Sequence, residues 1–167
     1  MQLVVIAHNI RSCHNVGSIF RSCEGFGVER LYLTGYTPHP WYEGDPRLPH
    51  IASKLDKQIS KTALGAEKLV PFTYREHVQD AIKNLKKDGY RVIGLEQTPS
   101  SVPLPTFVAS EKCALVLGEE VDGIPVDVQS LCDAFVEIPM KGRKESFNVS
   151  VATGIALYAM RHTEYSI

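Results

Sequence analysis

The sequence lacks the features that mark a membrane protein, a secreted protein or a zinc protein. No apolar run approaches the roughly 20 residues of a membrane span. The short apolar segment 1–7 has neither a basic leading segment nor a cleavage site of small residues. The four cysteines include no C-x-x-C pair, and no two histidines have the spacing of metal ligands on a helix. We therefore expect a cytoplasmic protein with reduced thiols, no membrane partner and no metal site.

Two familiar nucleotide-binding motifs are also missing. A dinucleotide fingerprint requires G-x-G-x-x-G directly after a strand, whereas Gly25-Phe26-Gly27 precedes the second predicted strand and is typical of a helix end. A phosphate loop of the form G-x-x-x-x-G-K-[ST] is absent. These absences disfavour a dinucleotide-dependent oxidoreductase and a nucleoside triphosphatase.

The charge is nearly balanced, with a net value of −1 at pH 7. This balance excludes a large, uniformly basic face of the kind that many nucleic-acid-binding proteins carry. Any contact with nucleic acid must come from local clusters, such as Lys141, Arg143 and Lys144, or from the joining of two subunits.

The length and the hydrophobic content fit one globular domain with a substantial core. The 167 residues are 44% hydrophobic, and no linker divides them, so we expect a single domain over residues 1–167 without a separate RNA-binding extension. Strand and helix patterns alternate along the chain, which predicts an α/β fold with a mostly parallel sheet covered by helices on both faces. The predicted strands are Leu3–Ala7, Leu31–Thr34, Leu69–Thr73, Tyr90–Leu95, Cys113–Leu117 and Ala134–Ile138.

Helical patterns lie between most of these strands. We predict a helix capped by Asn15 and ending near Gly25, a helix over Tyr74–Asp88, a short helix starting at Asp127, and a last helix over Phe147–Arg161. The last helix is apolar nearly all round, which predicts a place in the core or in a subunit interface. The connection from Gly35 to Ser60 is long and rich in proline, and long loops in compact domains tend to be functional.

Three motifs stand out from this framework. The first runs from Asn15 through Gly17 to Arg21. The second runs from Leu115 to Pro125 and is a buried strand that opens into a glycine-bearing acidic loop. The third runs from Ile138 to Ser150. Each has an ordinary interpretation when taken alone: a capped helix, a solvated turn and an N-cap. Asn148-Val149-Ser150 also matches an N-glycosylation sequon, but the missing secretory segment disfavours that use.

Taken together, the motifs resemble those of the SpoU or TrmH family of SPOUT RNA methyltransferases. That family carries N-x-G-x-x-x-R, L-G-x-E-x-x-G-[IV] and I-P-M-x-G-x-x-x-S-L-N-V-S-x-A segments in this order. The departures are Phe147, where leucine is usual, and, relative to some members of the family, one extra residue between Gly142 and Ser146. The resemblance implies a deep C-terminal trefoil knot, a homodimer, S-adenosylmethionine as cofactor, and methylation of a ribose 2′-oxygen in tRNA or rRNA.

The resemblance also implies which residues form the site. An adenine ring needs an apolar slot, which Ile138, Met140 and Phe147 would provide, while Gly118 and Gly142 would let the backbone approach closely. The implied cofactor-binding residues are Leu95, Glu96, Leu117, Gly118, Glu119, Ile138, Met140, Ser146, Phe147 and Asn148. The implied catalytic residues are Arg21, Asn15, Glu120, Ser146 and Asn148.

Arg21 is implicated by the family in activating the ribose hydroxyl. A guanidinium titrates above about pH 12, so using it as a neutral base at pH 7 would cost roughly 7 kcal/mol. We therefore expect Arg21 to hold the adjacent phosphate and to stabilise the developing alkoxide. Asn15 would fix Arg21 or the ribose, and Glu120 would orient the arginine through a charge-assisted pair.

RNA contacts are predicted in two basic segments besides Arg21. Trp41 or Tyr42 would stack on a splayed base. The compact size and the segment Gly89–Thr98 favour tRNA over rRNA as substrate, with an rRNA enzyme and a non-catalytic RNA-binding protein as alternatives. The expected RNA-binding residues are Arg21, Lys54, Lys57, Lys61, Lys141, Arg143 and Lys144.

Overall fold

A computed structural model describes residues 1–162 and has strands and helices that alternate along the chain. In chain order they are β1 (Gln2–His8), α1 (Cys13–Gly25), β2 (Arg30–Thr34), α2 (Pro49–Ala63), α3 (Ala66–Leu69), β3 (Phe72–Arg75), α4 (Val78–Lys87), β4 (Arg91–Leu95), β5 (Val102–Pro103), a 3-10 turn (Leu104–Thr106), β6 (Lys112–Leu117), α5 (Val126–Gln129), β7 (Ala134–Glu137) and α6 (Val149–His162).

The strands form one sheet in the order β3-β2-β1-β6-β4-β7-β5, and every pair of neighbours is parallel. Side chains alternate between the two faces of a strand. Leu3 and Val5 of β1 join the core on the face covered by α1, α2, α3 and α6, whereas Val4 and Ile6 join the core on the face covered by α4 and α5. The predicted α/β fold, with helices on both faces of the sheet, is confirmed.

Some element boundaries differ from the sequence prediction. Ser12, and not Asn15, caps α1, because its Oγ accepts a hydrogen bond from the Asn15 backbone N–H at 3.2 Å. The predicted helix over Tyr74–Asp88 loses its first residues to β3, and α4 begins only at Val78. α2 begins at Pro49, so the irregular part of the long connection covers only residues 35–48.

The glycine of the first motif has a packing role that the sequence reading missed. A Cβ at Gly17 would lie 2.1 Å from Thr62 Oγ1 and 2.3 Å from the Ile59 carbonyl oxygen. Only glycine therefore lets α1 approach α2 this closely, and the approach positions the whole first motif against the sheet.

Other sequence-based expectations concern chain threading, thiols, metals and membranes. All four cysteines are free thiols, and Cys23 and Cys113 are buried. Within residues 1–162, no group of three or more His, Cys, Asp and Glu side chains is arranged to hold a metal ion. In the same range, no helix is long and apolar enough to cross a membrane. The trefoil knot implied by the family resemblance stays a prediction.

Candidate active site

A cavity of about 280 Å³ lies where β4, β6 and β7 end, between the three loops that follow these strands. The carboxyl ends of neighbouring parallel strands meet at one edge of a sheet, which is the usual place for a ligand in such folds. All the predicted cofactor-binding residues except Asn148 line the cavity: Leu95, Glu96, Leu117, Gly118, Glu119, Ile138, Met140, Ser146 and Phe147.

The loop after β6 is a tight turn closed by its own backbone. Glu119 and Gly123 exchange two backbone hydrogen bonds of 3.0 Å. A Cβ at Gly118 would lie 2.2 Å from the carbonyl carbon of Gly123, so the turn requires glycine at this position. A Cβ at Gly142 would meet no atom of the chain within 4 Å, so no contact within the chain requires glycine there, and its expected role beside the cofactor stays a prediction.

Glu96 and Gln97 connect the three loops around the cavity. The Glu96 carboxylate accepts hydrogen bonds from the backbone N–H of Gln97 at 2.9 Å and of Ile124 at 2.8 Å. Gln97 Nε2 donates to the Glu145 carbonyl oxygen at 2.6 Å. The loop after β4 is thereby joined to the loops after β6 and β7. Sequence reasoning missed Gln97, although a Glu-Gln pair directly after a buried strand is a usable signal.

A polar cluster beside the cavity brings the three motifs together. Asn15 Nδ2 donates to Glu120 Oε1 at 2.9 Å, and Asn148 Nδ2 donates to Asn15 Oδ1 at 3.1 Å. Glu120 also accepts the backbone N–H groups of Arg11 at 3.0 Å and Ser12 at 3.2 Å. The Glu120 carboxylate is therefore the centre of the cluster: it accepts from the Asn15 amide, which in turn accepts from Asn148, and from two backbone N–H groups.

Glu120 is held in its ionised form by these contacts. Its partial burial raises the pKa, but the hydrogen bonds from Arg11, Asn15 and Ser12 outweigh that effect and lower the pKa below its ordinary value. At neutral pH the carboxylate is thus a fixed acceptor that orients Asn15, and it is poorly suited to take up a proton.

Asn148 combines this contact with a structural one. Its Oδ1 accepts the Ser150 backbone N–H at 2.9 Å and the Ser150 hydroxyl at 2.7 Å, as an N-cap does at the first turn of a helix. The side chain therefore serves both as the cap of α6 and as the link to Asn15. The N-cap interpretation of this residue is confirmed, and its role toward cofactor or substrate stays a prediction.

Arg21 lies away from this cluster within the chain. It is exposed on α1, in a shallow depression with Ser18, Lys61 and Thr62. Arg21 follows Asn15 by six positions on α1, which is about 9 Å along the helix axis and roughly 120° around it. The expected pairing of Arg21 with Glu120 or Asn15 is not formed within one chain, because across residues 1–162 no hydrogen bond or ion pair joins Arg21 to either residue.

The cavity is lined by both acidic and apolar side chains. Carboxylates that the sequence reading did not include in the site, Asp122, Glu137 and Glu145, join Glu96, Glu119 and Glu120. Arg11, also missed, forms an ion pair with Glu119. Lys141, Arg143 and Lys144 are exposed on the loop after β7. This arrangement suits an organic cation with a flat apolar group, and it places positive charge only outside the cavity.

Comparisons with known proteins give matches over nearly the whole chain. Residues 2–158 match the sequence profile of the SpoU rRNA Methylase family. The chain is 30% identical to the tRNA (guanosine(18)-2'-O)-methyltransferase of Aquifex aeolicus, over 97% of this chain and 70% of that protein. It is 31% identical to the 23S rRNA (guanosine-2'-O-)-methyltransferase RlmB of Xanthomonas axonopodis pv. citri, over 93% of this chain and 57% of that protein.

The fold is similar to that of a solved structure. The AdoMet-bound rRNA methyltransferase from Sinorhizobium meliloti matches with a TM-score of 0.81 and 25% identity. The match covers 99% of this chain and 57% of that one. The chain thus spans little more than half the length of this structure and of the Xanthomonas relative.

Proposed function

Because the chain belongs to the SpoU rRNA Methylase family, we propose that it transfers a methyl group from S-adenosylmethionine to a ribose 2′-oxygen of RNA. The observation that carries the proposal is the hydrogen-bonded chain Asn148–Asn15–Glu120, which joins the three motifs beside one cavity. If the three short motifs matched the family by chance, their side chains would not be expected to form hydrogen bonds with one another.

The cavity residues fit the proposed cofactor. Ile138, Met140 and Phe147 offer an apolar wall to an adenine ring, and the carboxylates of Asp122 and Glu137 favour the positive charges of the methionine part. S-adenosylmethionine supplies an activated methyl group when it is bound. The chain's own residues then have two tasks, namely to align the ribose and to stabilise its 2′-oxygen as negative charge develops.

Asn15 and Arg21 divide these tasks in our proposal. The Asn15 amide, oriented by Glu120 and Asn148, contacts the ribose, and Ser146 at the cavity wall assists the placement of cofactor and ribose. The Arg21 guanidinium holds the neighbouring phosphate and stabilises the developing alkoxide.

A homodimer would bring the two parts of this machinery together. Arg21 lies outside the cavity of its own chain, so we propose that it completes the cavity of a second copy. α6 packs on α1 through one face and exposes Val151 and Tyr158, which are 50% and 59% exposed. These apolar side chains suit a subunit interface. Light scattering of the purified protein should give the mass of a dimer, and a monomer at micromolar concentration would contradict this part of the proposal.

We propose tRNA as the substrate, recognised by this single domain over residues 1–167 together with its partner copy. An rRNA substrate is the second candidate, and the Xanthomonas relative named for 23S rRNA favours it. Incubation with labelled S-adenosylmethionine and either total tRNA or ribosomal RNA separates the two. We expect label in tRNA, and label only in ribosomal RNA would favour the second candidate. A non-catalytic RNA-binding protein predicts no label in either and no heat of S-adenosylmethionine binding in calorimetry.

A further inference from the structure

Trp41 is an exposed indole on a firmly held loop. Its relative exposure is 58%, although both residues before it, His39 and Pro40, are buried. Its backbone N–H donates to Asp56 Oδ1 at 3.0 Å, which fixes this part of the loop to α2. The large apolar ring therefore points to solvent from a backbone that has little freedom to turn it inward.

The Arg47 guanidinium holds the rest of the loop. It donates to both carboxylate oxygens of Asp45, and it donates to the carbonyl oxygens of His39 at 3.1 Å and Pro40 at 3.1 Å. These two carbonyls directly precede Trp41. The Asp45 side chain is only 1% exposed, and the hydrogen bonds from Arg47 lower its pKa to about 2. The clamp is thus fully charged and internally satisfied at neutral pH.

Aromatic contacts of His39 and Tyr42, which flank Pro40 and Trp41, anchor this part of the loop to the sheet. The ring centroids of His39 and Tyr74 are 4.4 Å apart. The ring centroids of Tyr42 and Phe72 are 6.3 Å apart, in an edge-to-face arrangement. Tyr42 is consequently half-buried and serves as an anchor. Of the two aromatic residues considered for base stacking from the sequence, the geometry leaves Trp41 as the available one.

Three exposed lysines, here called the lysine line, lie along α2, the helix whose Asp56 accepts the Trp41 backbone N–H. Lys54, Lys57 and Lys61 are exposed at helical spacing on α2, and Lys57 directly follows the Asp56 that holds Trp41. Among the described residues 1–162, none of the three forms an ion pair. Lys61 shares its depression with Arg21 at the far end of the helix, about 10 Å along the axis from Lys54.

We propose that Trp41 and this lysine line form a track for single-stranded RNA that leads to Arg21. The indole stacks on one unpaired base, and the lysines contact the phosphates that follow. Base stacking on an aromatic side chain tolerates any base, and phosphates require free cations. A docking site for another protein fits less well, because lysine is depleted in protein interfaces. This inference rests on the proposed function, since it names the surface on which the RNA substrate lies.

The test uses the intact chain and two labelled strands of equal length, an oligouridylate and an abasic strand with the same number of phosphates. Trp41→Leu keeps an apolar side chain without a π face, whereas Trp41→Phe keeps a π face. We expect Trp41→Leu to weaken oligouridylate binding about 5- to 140-fold and Trp41→Phe far less. Neither variant should change binding of the abasic strand.

The lysines are tested through the salt dependence. The double variant Lys54→Ser/Lys57→Ser should reduce the slope of log K against log salt by about 0.7 for each lost contact. Lys83→Ser/Lys87→Ser, which removes two exposed lysines of α4 on the opposite face of the sheet, is the matched control and should leave the slope unchanged.

Three results would overturn the track. They are wild-type binding by Trp41→Leu, an equal loss on both strands, and a change of oligomeric state in Trp41→Leu, which would reveal a protein contact. The wild-type protein separates these failures from failure of the proposed function. If it transfers methyl groups to RNA while Trp41→Leu binds normally, only the track is wrong. If it transfers none, the proposed function is wrong.

Discussion

Asn148 Nδ2 donates a hydrogen bond to Asn15 Oδ1 at 3.1 Å, across 133 residues of chain. The contact joins the first turn of the last helix to the first turn of the first helix. Because Asn15 also donates to Glu120, one amide side chain depends on both of the other motifs for its orientation.

Asn15→Ala should lower kcat for methyl transfer roughly 100-fold, because the ribose loses an oriented partner and Glu120 loses its side-chain donor. Asn148→Ala should cost less, since Glu120 still orients Asn15. Residues of one network act non-additively, so the double variant should resemble Asn15→Ala alone. Asn84→Ala, on exposed α4, is the control. Fully additive losses would contradict the network.

Arg21→Ala should lower kcat for methyl transfer by about 100- to 1,000-fold or more, because a group that stabilises developing negative charge is lost. The affinity for S-adenosylmethionine should stay nearly intact, since the proposed partners of Arg21 are the RNA phosphate and the developing alkoxide and not the cofactor. Arg21→Lys should retain part of the activity, as it keeps the charge but loses the planar fork. Calorimetry and turnover with tRNA measure both quantities, and near-wild-type turnover of Arg21→Ala would refute this role.

Glu96→Ala should weaken S-adenosylmethionine binding about 10- to 100-fold, because two backbone N–H groups lose a charged acceptor and the loop after β6 loosens. The expected signature is a raised KM for the cofactor with a much smaller change in kcat. Gln79→Ala removes a side-chain hydrogen bond to Asp127 away from the cavity and should change neither. A fall in kcat alone would show that Glu96 does not act through the cavity.

Two glycines of α1 should respond in opposite directions to alanine. Gly17→Ala forces a methyl group against the Ile59 carbonyl and should lower the free energy of unfolding by about 1–3 kcal/mol. The methyl group added by Gly25→Ala meets no atom within 4 Å, so this substitution should raise the free energy of unfolding by up to about 1 kcal/mol. Urea unfolding of the two variants measures both effects, and equal effects of the two substitutions would argue against the close α1–α2 contact.

Two buried histidines, His8 and His39, should make the stability of the protein sensitive to acid. Burial lowers the pKa of His8 and of His39 below the ordinary value of 6.5. Below about pH 6.5 the unfolded chain binds protons that the folded chain does not, so the free energy of unfolding should fall as the pH drops; above that pH these groups contribute no slope. Urea titrations at several pH values from 7.5 downward measure this dependence, and the free energy of unfolding of His39→Gln should fall less with pH than that of the wild type. Exposed His77→Gln should behave like the wild type.

The alternation of strand and helix patterns was sufficient to predict the α/β fold, because buried parallel strands such as β1 and β6 are continuous apolar runs. The family resemblance of the three motifs also led to the residues of the cavity wall. Helix capping was harder to predict, since Ser12 and Asn15 are both good caps and only the tertiary contact to Glu120 engages the Asn15 side chain. The separation of Arg21 from Glu120 depends on helix rotation in three dimensions, and the packing role of Gly17 depends on α2, which a single local pattern does not contain.

The central claim is methylation of a ribose 2′-oxygen, and the site of the label tests it most directly. RNA labelled by the wild-type protein with methyl-labelled S-adenosylmethionine is hydrolysed in alkali, which cleaves next to every free 2′-hydroxyl. A 2′-O-methyl group blocks that cleavage, so the account predicts label in alkali-resistant dinucleotides. Label in mononucleotides, which would place the methyl group on a base, would contradict the account.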